Sequence, residues 1–181
     1  MPKDKISKEI ESKFGNHLRS RVNGILIEDK KILMIKHLMG NGKIMWSVPG
    51  GGMHFGENAA ENLKREFSEE TGLDIEVKAY LFVHEYLVTP LHAMEHFFCV
   101  KKIGGNLTLG TDPELYPDSQ IIEEVRWMGI NEIRSLPNEA LHQIFWKIKS
   151  LEDLVLLRGY FNFEINSLKS TIYNLQPYPD S

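Results

Sequence analysis

Glu66, Glu69 and Glu70 lie within five consecutive residues, directly after Arg65 and just before Gly72-Leu73. On a helix, at roughly 100° per residue, their carboxylates share about a 100° arc. Like charges at such spacings destabilise a helix by a few tenths of a kcal/mol each, and by more when partly buried. A divalent cation removes that repulsion. Magnesium takes oxygen ligands in octahedral geometry, and it usually keeps waters while sharing substrate phosphates. Cation-assisted chemistry on a phosphate is therefore what this face suits. Three glutamates alone would more often be a solvated helix surface, so the surrounding residues decide.

Those residues complete a long pattern. From Gly51 to Leu73 the chain reads G-x5-E-x7-R-E-U-x-E-E-x-G-U, where U is aliphatic or aromatic, and every specified position is filled. At average residue usage, a chance match somewhere in the chain has a probability on the order of 10⁻⁷ or less. Gly50-Gly51-Gly52 after Pro49 permits a tight turn that bares backbone carbonyls. A helix is predicted to start near Glu57 or Asn58, with Ala59, Ala60, Leu63 and Phe67 at apolar spacings. Gly72 suits the left-handed residue past its end, with Leu73 folding back.

On these residues the chain resembles the Nudix hydrolases, which cleave nucleoside diphosphates linked to another moiety with magnesium or manganese. By motif position, the resemblance implies Glu66 and Glu70 as metal ligands, Glu69 as a third ligand or the base, and the Gly51 carbonyl as a further ligand. The cofactor implied is Mg2+, with Mn2+ as its substitute. Arg65 is expected to orient a carboxylate, Glu69 being four residues on. Glu57 is expected to hold the loop to the helix, in contact with Arg65. The family takes its base either from the box or from a later loop, so Glu114, Asp118, Glu123 and Glu124 stand beside Glu69 as candidates.

The elements that must position this face follow from the patterning. Residues 3–18 read as an N-terminal helical extension (Ile6, Ile10, Phe14, Leu18) packed on the domain or on a partner subunit of a homodimer. Arg21–Glu28 and Lys31–His37 read as strands joined across Glu28-Asp29-Lys30. Asp74–Val88 and Ala93–Ile103 form a second predicted hairpin, broken at Thr89-Pro90. Gly104–Gln120 is polar and irregular, of a length that often carries function. Ile121–Met128 is a last strand and Asn131–Leu136 a short helix. The spacing of Leu141, Ile144, Phe145, Ile148 and Leu151 predicts one helix over 138–157. A strand at Tyr160–Ile165 and then a helix would complete a C-terminal helical extension over 138–181. Strands around a central helix, with a helix at the end, give an α/β chain with a mixed sheet between helices. The resemblance implies the same α/β/α sandwich, in a single domain of residues 1–181.

Composition raises no objection. The 181 residues carry a net charge of −4, 42% hydrophobic and 25% charged side chains, ordinary for a globular domain. The acidic balance disfavours a nucleic-acid partner, and RNA decapping with it. The single cysteine, Cys99, permits no intramolecular disulfide and no cysteine-based zinc site. No apolar run approaches the ~20 residues of a membrane span, and the N-terminus lacks the apolar core of a signal peptide. A cytoplasmic protein acting on a small nucleotide is expected.

Specificity is less legible. Trp46, Phe55, Tyr80, Tyr86 and Phe97 could stack on a base, though strand aromatics are usually core. Arg19 and Arg21 could meet phosphate. His84, His92 and His96 read as ordinary strand or turn histidines. Pro90 lies seventeen residues after Leu73, near where some ADP-ribose hydrolases carry a proline, and it equally fits a plain hairpin turn. The leading expectation is a Mg2+-dependent hydrolase of a nucleoside diphosphate sugar such as ADP-ribose. A triphosphate pyrophosphohydrolase and a non-catalytic nucleotide sensor are the alternatives.

Overall fold

The computed structural model describes residues 5–111 and 120–162. Helix α1 (Lys5–Phe14) precedes strands β1 (Leu18–Ile25), β2 (Ile27–Glu28), β3 (Lys31–Gly40), β4 (Lys43–Ser47) and β5 (Gly50–Gly52). Helix α2 (Ala59–Thr71) leads into the long strands β6 (Leu73–Val88) and β7 (Leu91–Gly105). Then come β8 (Ile122–Gly129), α3 (Ile130–Ser135), two single 3₁₀ turns (Asn138–Ala140 and Gln143–Phe145), α4 (Glu152–Leu156) and β9 (Gly159–Asn162).

The strands form two sheets. One runs β5-β1-β7-β6-β9 and is mixed, since β1 lies parallel to β7 and β9 parallel to β6. In the other, β3 pairs antiparallel with β2, β4 and β8. The predicted hairpin forms only at its turn end: Ile27 and Glu28 pair with Ile32 and Lys31, and Asp29 and Lys30 take φ of 47° and 61°. The rest of the predicted first strand belongs to β1, which pairs with β5 and β7 in the other sheet. Two positive-φ residues give the turn whose twist matches the flanking strands. The β6–β7 hairpin is longer than predicted, and three register shifts let its long strands bend.

Two apolar clusters hold the layers. Val22, Leu26, Leu33, Leu63, Phe67 and Leu73 pack between α2 and the sheets. The other cluster joins Ile32, Met34, Trp46, Phe82 and Phe97 to the C-terminal segment. Helix α1 buries Ile10, and Asn41 Nδ2 donates to Ser7 Oγ at 3.0 Å.

The C-terminal segment departs from expectation. Residues 138–157 do not form the single helix that the apolar spacing predicts. Leu141 makes a parallel bridge with Trp46, and the His142 N–H donates to the Trp46 carbonyl at 2.8 Å. That pairing holds the chain extended at 141–142, between the two 3₁₀ turns. Leu141, Ile144, Phe145, Leu151 and Leu154 are buried in the main cluster, and burial of five such side chains outweighs helix propensity, a weak preference. The segment is thus part of the core rather than a helical extension. The predicted strand near Tyr160 is β9, and what was expected beyond Asn162 lies outside the described residues. Among the described residues no helix is long and apolar enough to cross a membrane.

Candidate active site

Helix α2 is fixed at both ends by its own sequence. Asn58 Oδ1 accepts from the N–H groups of Ala60 and Glu61 at 3.1 and 3.0 Å, while Glu61 Oε2 accepts from the Asn58 N–H at 3.3 Å. This reciprocal capping satisfies donors that a helix start leaves open. Gly72, at φ 69°, ends the helix, its N–H bonding to the Ser68 carbonyl. Leu63 and Phe67 are fully buried and anchor the helix on the sheet, each worth about 1.5–3 kcal/mol.

That anchoring presses the acidic face onto the glycine strand. Gly50 adopts φ 152°, and a Cβ there would lie 2.1 Å from the Val22 carbonyl oxygen, so no other residue fits comfortably. Its N–H donates to Glu70 Oε2 at 2.9 Å in a buried contact. At Gly51 a Cβ would sit 2.3 Å from Glu66 Cδ and 2.4 Å from both carboxylate oxygens. The missing side chain makes room for the carboxylate.

Arg65 gathers the charges around it. Its guanidinium lies 3.0 Å from Glu66 Oε1, donates to Glu69 Oε2 at 2.8 Å and to Asn62 Oδ1 at 2.7 Å, and meets Glu57 Oε2 at 3.3 Å. Glu66 is nonetheless pushed up to about 7, because burial outweighs the favourable fields of Arg65 and Arg21 and Glu69 adds repulsion. A buried carboxylate held so high is short of positive charge.

Glu66, Glu70 and Gly51 open onto one cavity of about 90 Å³, shared with Arg21, Asn23, His37, Tyr86, Glu95, Phe97 and His142. Glu69 does not line it; its carboxylate faces Arg65. Arg21 Nη2 donates to the Gly50 carbonyl at 3.1 Å, and Arg21 Nε lies 3.7 Å from Glu95 Oε1. Asn23 is buried, and among the described residues its Nδ2 has no hydrogen-bond partner. An orphan buried donor costs about 1–3 kcal/mol and marks a place for a ligand oxygen. Burial, then Glu95, pushes the Tyr86 hydroxyl up to about 12, so it remains a donor.

The other sequence candidates sort as follows. Arg19 lines the cavity with Arg21. Of the five aromatics, Tyr86 and Phe97 line it; Trp46 is core, Phe55 fully exposed, and Tyr80 half-exposed beside His96 and Phe98. Glu123 and Glu124 lie on β8, paired with Lys36 at 2.9 Å and Arg126 at 3.1 Å, away from the cavity. Glu114 and Asp118 fall outside the described residues. Pro90 sits in the turn between β6 and β7.

Sequence reasoning missed Glu95 and His142. Ala93, Glu95 and Phe97 alternate on the buried face of β7, so a charge among inward positions was the available signal for Glu95. His142 had none, since it lay within the helix expected over 138–157.

His37 carries a testable consequence. Burial, with Arg21 nearby, lowers it from 6.5 to about 4, and burial lowers His84 as well. His37 is then neutral in the folded chain and protonated in the unfolded chain between pH 6.5 and about 4, so its contribution to stability falls as pH drops through that range. Glu66, raised to about 7, contributes in the opposite sense. One proton changes stability by up to about 1.4 kcal/mol per pH unit, or about 3–5 °C in melting temperature for this size. The melting temperature of the wild type relative to that of His37→Gln should fall with such a slope across that range; a difference that does not change with pH refutes the assignment.

The carboxylates of Glu66 and Glu70 beside a glycine strand form an all-oxygen donor set, which suits magnesium or manganese. The charge deficit at Glu66 gives a cation reason to bind there.

Comparison with known proteins agrees with this architecture. An ADP-ribose pyrophosphatase of Methanocaldococcus jannaschii is 37% identical over 98 residues, 53% of this chain and 58% of that protein. The aligned part spans 36–58% of the curated relatives it matches. A NUDIX hydrolase from Nitrosomonas europaea superposes with a TM-score of 0.58 at 17% identity, covering 77% of this chain and 86% of that one. A MutT NUDIX hydrolase from Burkholderia pseudomallei gives 0.58 at 21% identity, covering 71% and 93%. These likenesses bear on the fold, which is the α/β/α sandwich with a mixed sheet between helices. The NUDIX domain model matches residues 17–148, from the start of β1 past the second 3₁₀ turn, and the chain belongs to that family.

Proposed function

We propose that this chain is a divalent-metal-dependent hydrolase that cleaves the diphosphate of a nucleoside diphosphate joined to another group, with ADP-ribose as first candidate. One observation carries the reading: the Glu66–Glu70 face opens onto the same cavity as a guanidinium, Arg21, and an orphan donor, Asn23 Nδ2. Carboxylates to hold a cation and donors to hold an anion thus surround a single space. The similarity to an ADP-ribose pyrophosphatase supports the choice of substrate.

In this reading Glu66, Glu70 and the Gly51 carbonyl would hold Mg2+, or Mn2+ in its place, which would supply the positive charge that polarises a phosphate and acidifies a water. Arg21 and Asn23 bind phosphate oxygens and orient the diphosphate, which is most of what a protein contributes to such a reaction. Arg65 positions Glu66 and Glu69. Glu69, whose carboxylate meets Arg65, is the described candidate for the base, alongside Glu114 and Asp118. Water adds to one phosphorus, the bridging P–O bond breaks, and two phosphomonoesters leave.

The test is a Mg2+-supplemented panel of nucleoside diphosphate sugars, dinucleoside polyphosphates, nucleoside triphosphates and NADH, with products identified. ADP-ribose should give AMP and a sugar phosphate. Pyrophosphate released from triphosphates alone would replace this reading with the triphosphate one. Binding without turnover of any compound would favour a sensor and overturn it.

A further inference from the structure

We propose that His84, Glu95 and His142 form a transition-metal site, of the kind that binds Zn2+, separate from the carboxylate face of α2. His84 and Glu95 are direct cross-strand partners in the β6–β7 ladder. The backbone contact of His142 with Trp46 brings the third side chain to them. His84 Nδ1 lies 3.0 Å, and His142 Nε2 2.8 Å, from the same oxygen, Glu95 Oε2. One ligand atom from each residue falls within 4.8 Å of the others, and all three side chains are buried.

The donor chemistry selects the ion. Two imidazoles and a carboxylate suit zinc and its neighbours rather than magnesium. A tetrahedral ion with bonds of about 2.0–2.1 Å sets its ligands roughly 3.3 Å apart, so each imidazole nitrogen needs to part from Glu95 Oε2 by only a few tenths of an ångström, and the two nitrogens already lie within 4.8 Å of each other. His84 Nε2 lies 3.0 Å from Gln143 Oε1. The tautomer that donates Nε2–H there would leave Nδ1 able to ligate an ion beside Glu95 Oε2. Such outer partners typically orient metal-bound imidazoles. Arg21 takes the other carboxylate oxygen, Glu95 Oε1, which leaves Oε2 for the ion. Glu95 and His142 line the cavity and His84 does not, so an ion held by the three would border the cavity. The alternative occupant is a proton shared within the same network.

The experiment titrates chelator-stripped full chain with ZnCl2 against a chromogenic chelator, in excess Mg2+. One zinc per chain should bind, and it should persist in Glu70→Gln. His84→Asn and Glu95→Gln should abolish that binding, and Gln143→Leu should weaken it about 10–100-fold. Zinc binding unchanged in His84→Asn and Glu95→Gln overturns the proposal, as does no zinc bound in Mg2+, the outcome for a proton-only network. If those variants do not fold, anomalous scattering at the zinc edge from wild-type crystals decides. A peak among the three side chains supports the site; a peak only beside Glu66 and Glu70, or none, refutes it.

Discussion

Glu70→Gln is expected to lower turnover by about two to four orders of magnitude while the fold stays intact. A metal contributes several kcal/mol of charge stabilisation in such reactions, and each 1.36 kcal/mol is a factor of ten in rate. The substitution preserves shape, and an amide oxygen can still accept the Gly50 N–H that Glu70 Oε2 accepts at 2.9 Å. What is lost is negative charge beside Glu66. A thermal readout separates this from misfolding: Mg2+ should raise the melting temperature of the wild type and raise that of the variant much less. Wild-type turnover in Glu70→Gln would falsify the metal assignment.

Gly51→Ala should lose turnover on a similar scale for a different reason. Its methyl would lie 2.3–2.4 Å from the Glu66 carboxylate, the movable end of a side chain, so that carboxylate swings away and the protein stays folded. Gly50→Ala gives the contrast. There the methyl meets backbone, the Val22 carbonyl at 2.1 Å, at a φ of 152°. Strain of that kind costs about 1–3 kcal/mol, so its melting temperature should fall distinctly further than that of Gly51→Ala. Activity and melting of the two variants, measured side by side, check both assignments. An active Gly51→Ala, or a Gly50→Ala as stable as wild type, would contradict the close approach of α2 to β5.

The parts that were legible in the sequence are those governed by neighbours along the chain. Asn58, Glu61 and Gly72 cap α2 through bonds spanning a few residues. Asp29-Lys30 makes a turn whose geometry depends on those two residues. The hairpin β6–β7 follows from β-branched and aromatic runs around Thr89-Pro90. Residues 138–157 were misread because apolar spacing records which residues want burial, not which conformation delivers it. There the deciding contact comes from Trp46, nearly a hundred positions earlier. The division of strands into two sheets is likewise set by distant pairing. The cavity shows both sides. Glu66 and Glu70 are recognisable from their motif, whereas Arg21, Asn23, Glu95 and His142 converge only once β1, β7 and the C-terminal segment are laid side by side.

Gly24 lies beneath α2, where a Cβ would come within 2.4 Å of the Phe67 ring. The helix rides on that ring, so the empty spot below it sets how high the coil floats above the floor. A methyl added there would jack up the whole lever and carry Glu66 and Glu70 away from Gly50 and Gly51, although neither residue 24 nor residue 67 touches anything that reacts. A selection for faster or slower variants should therefore return hits at this hidden shim as well as at the rim.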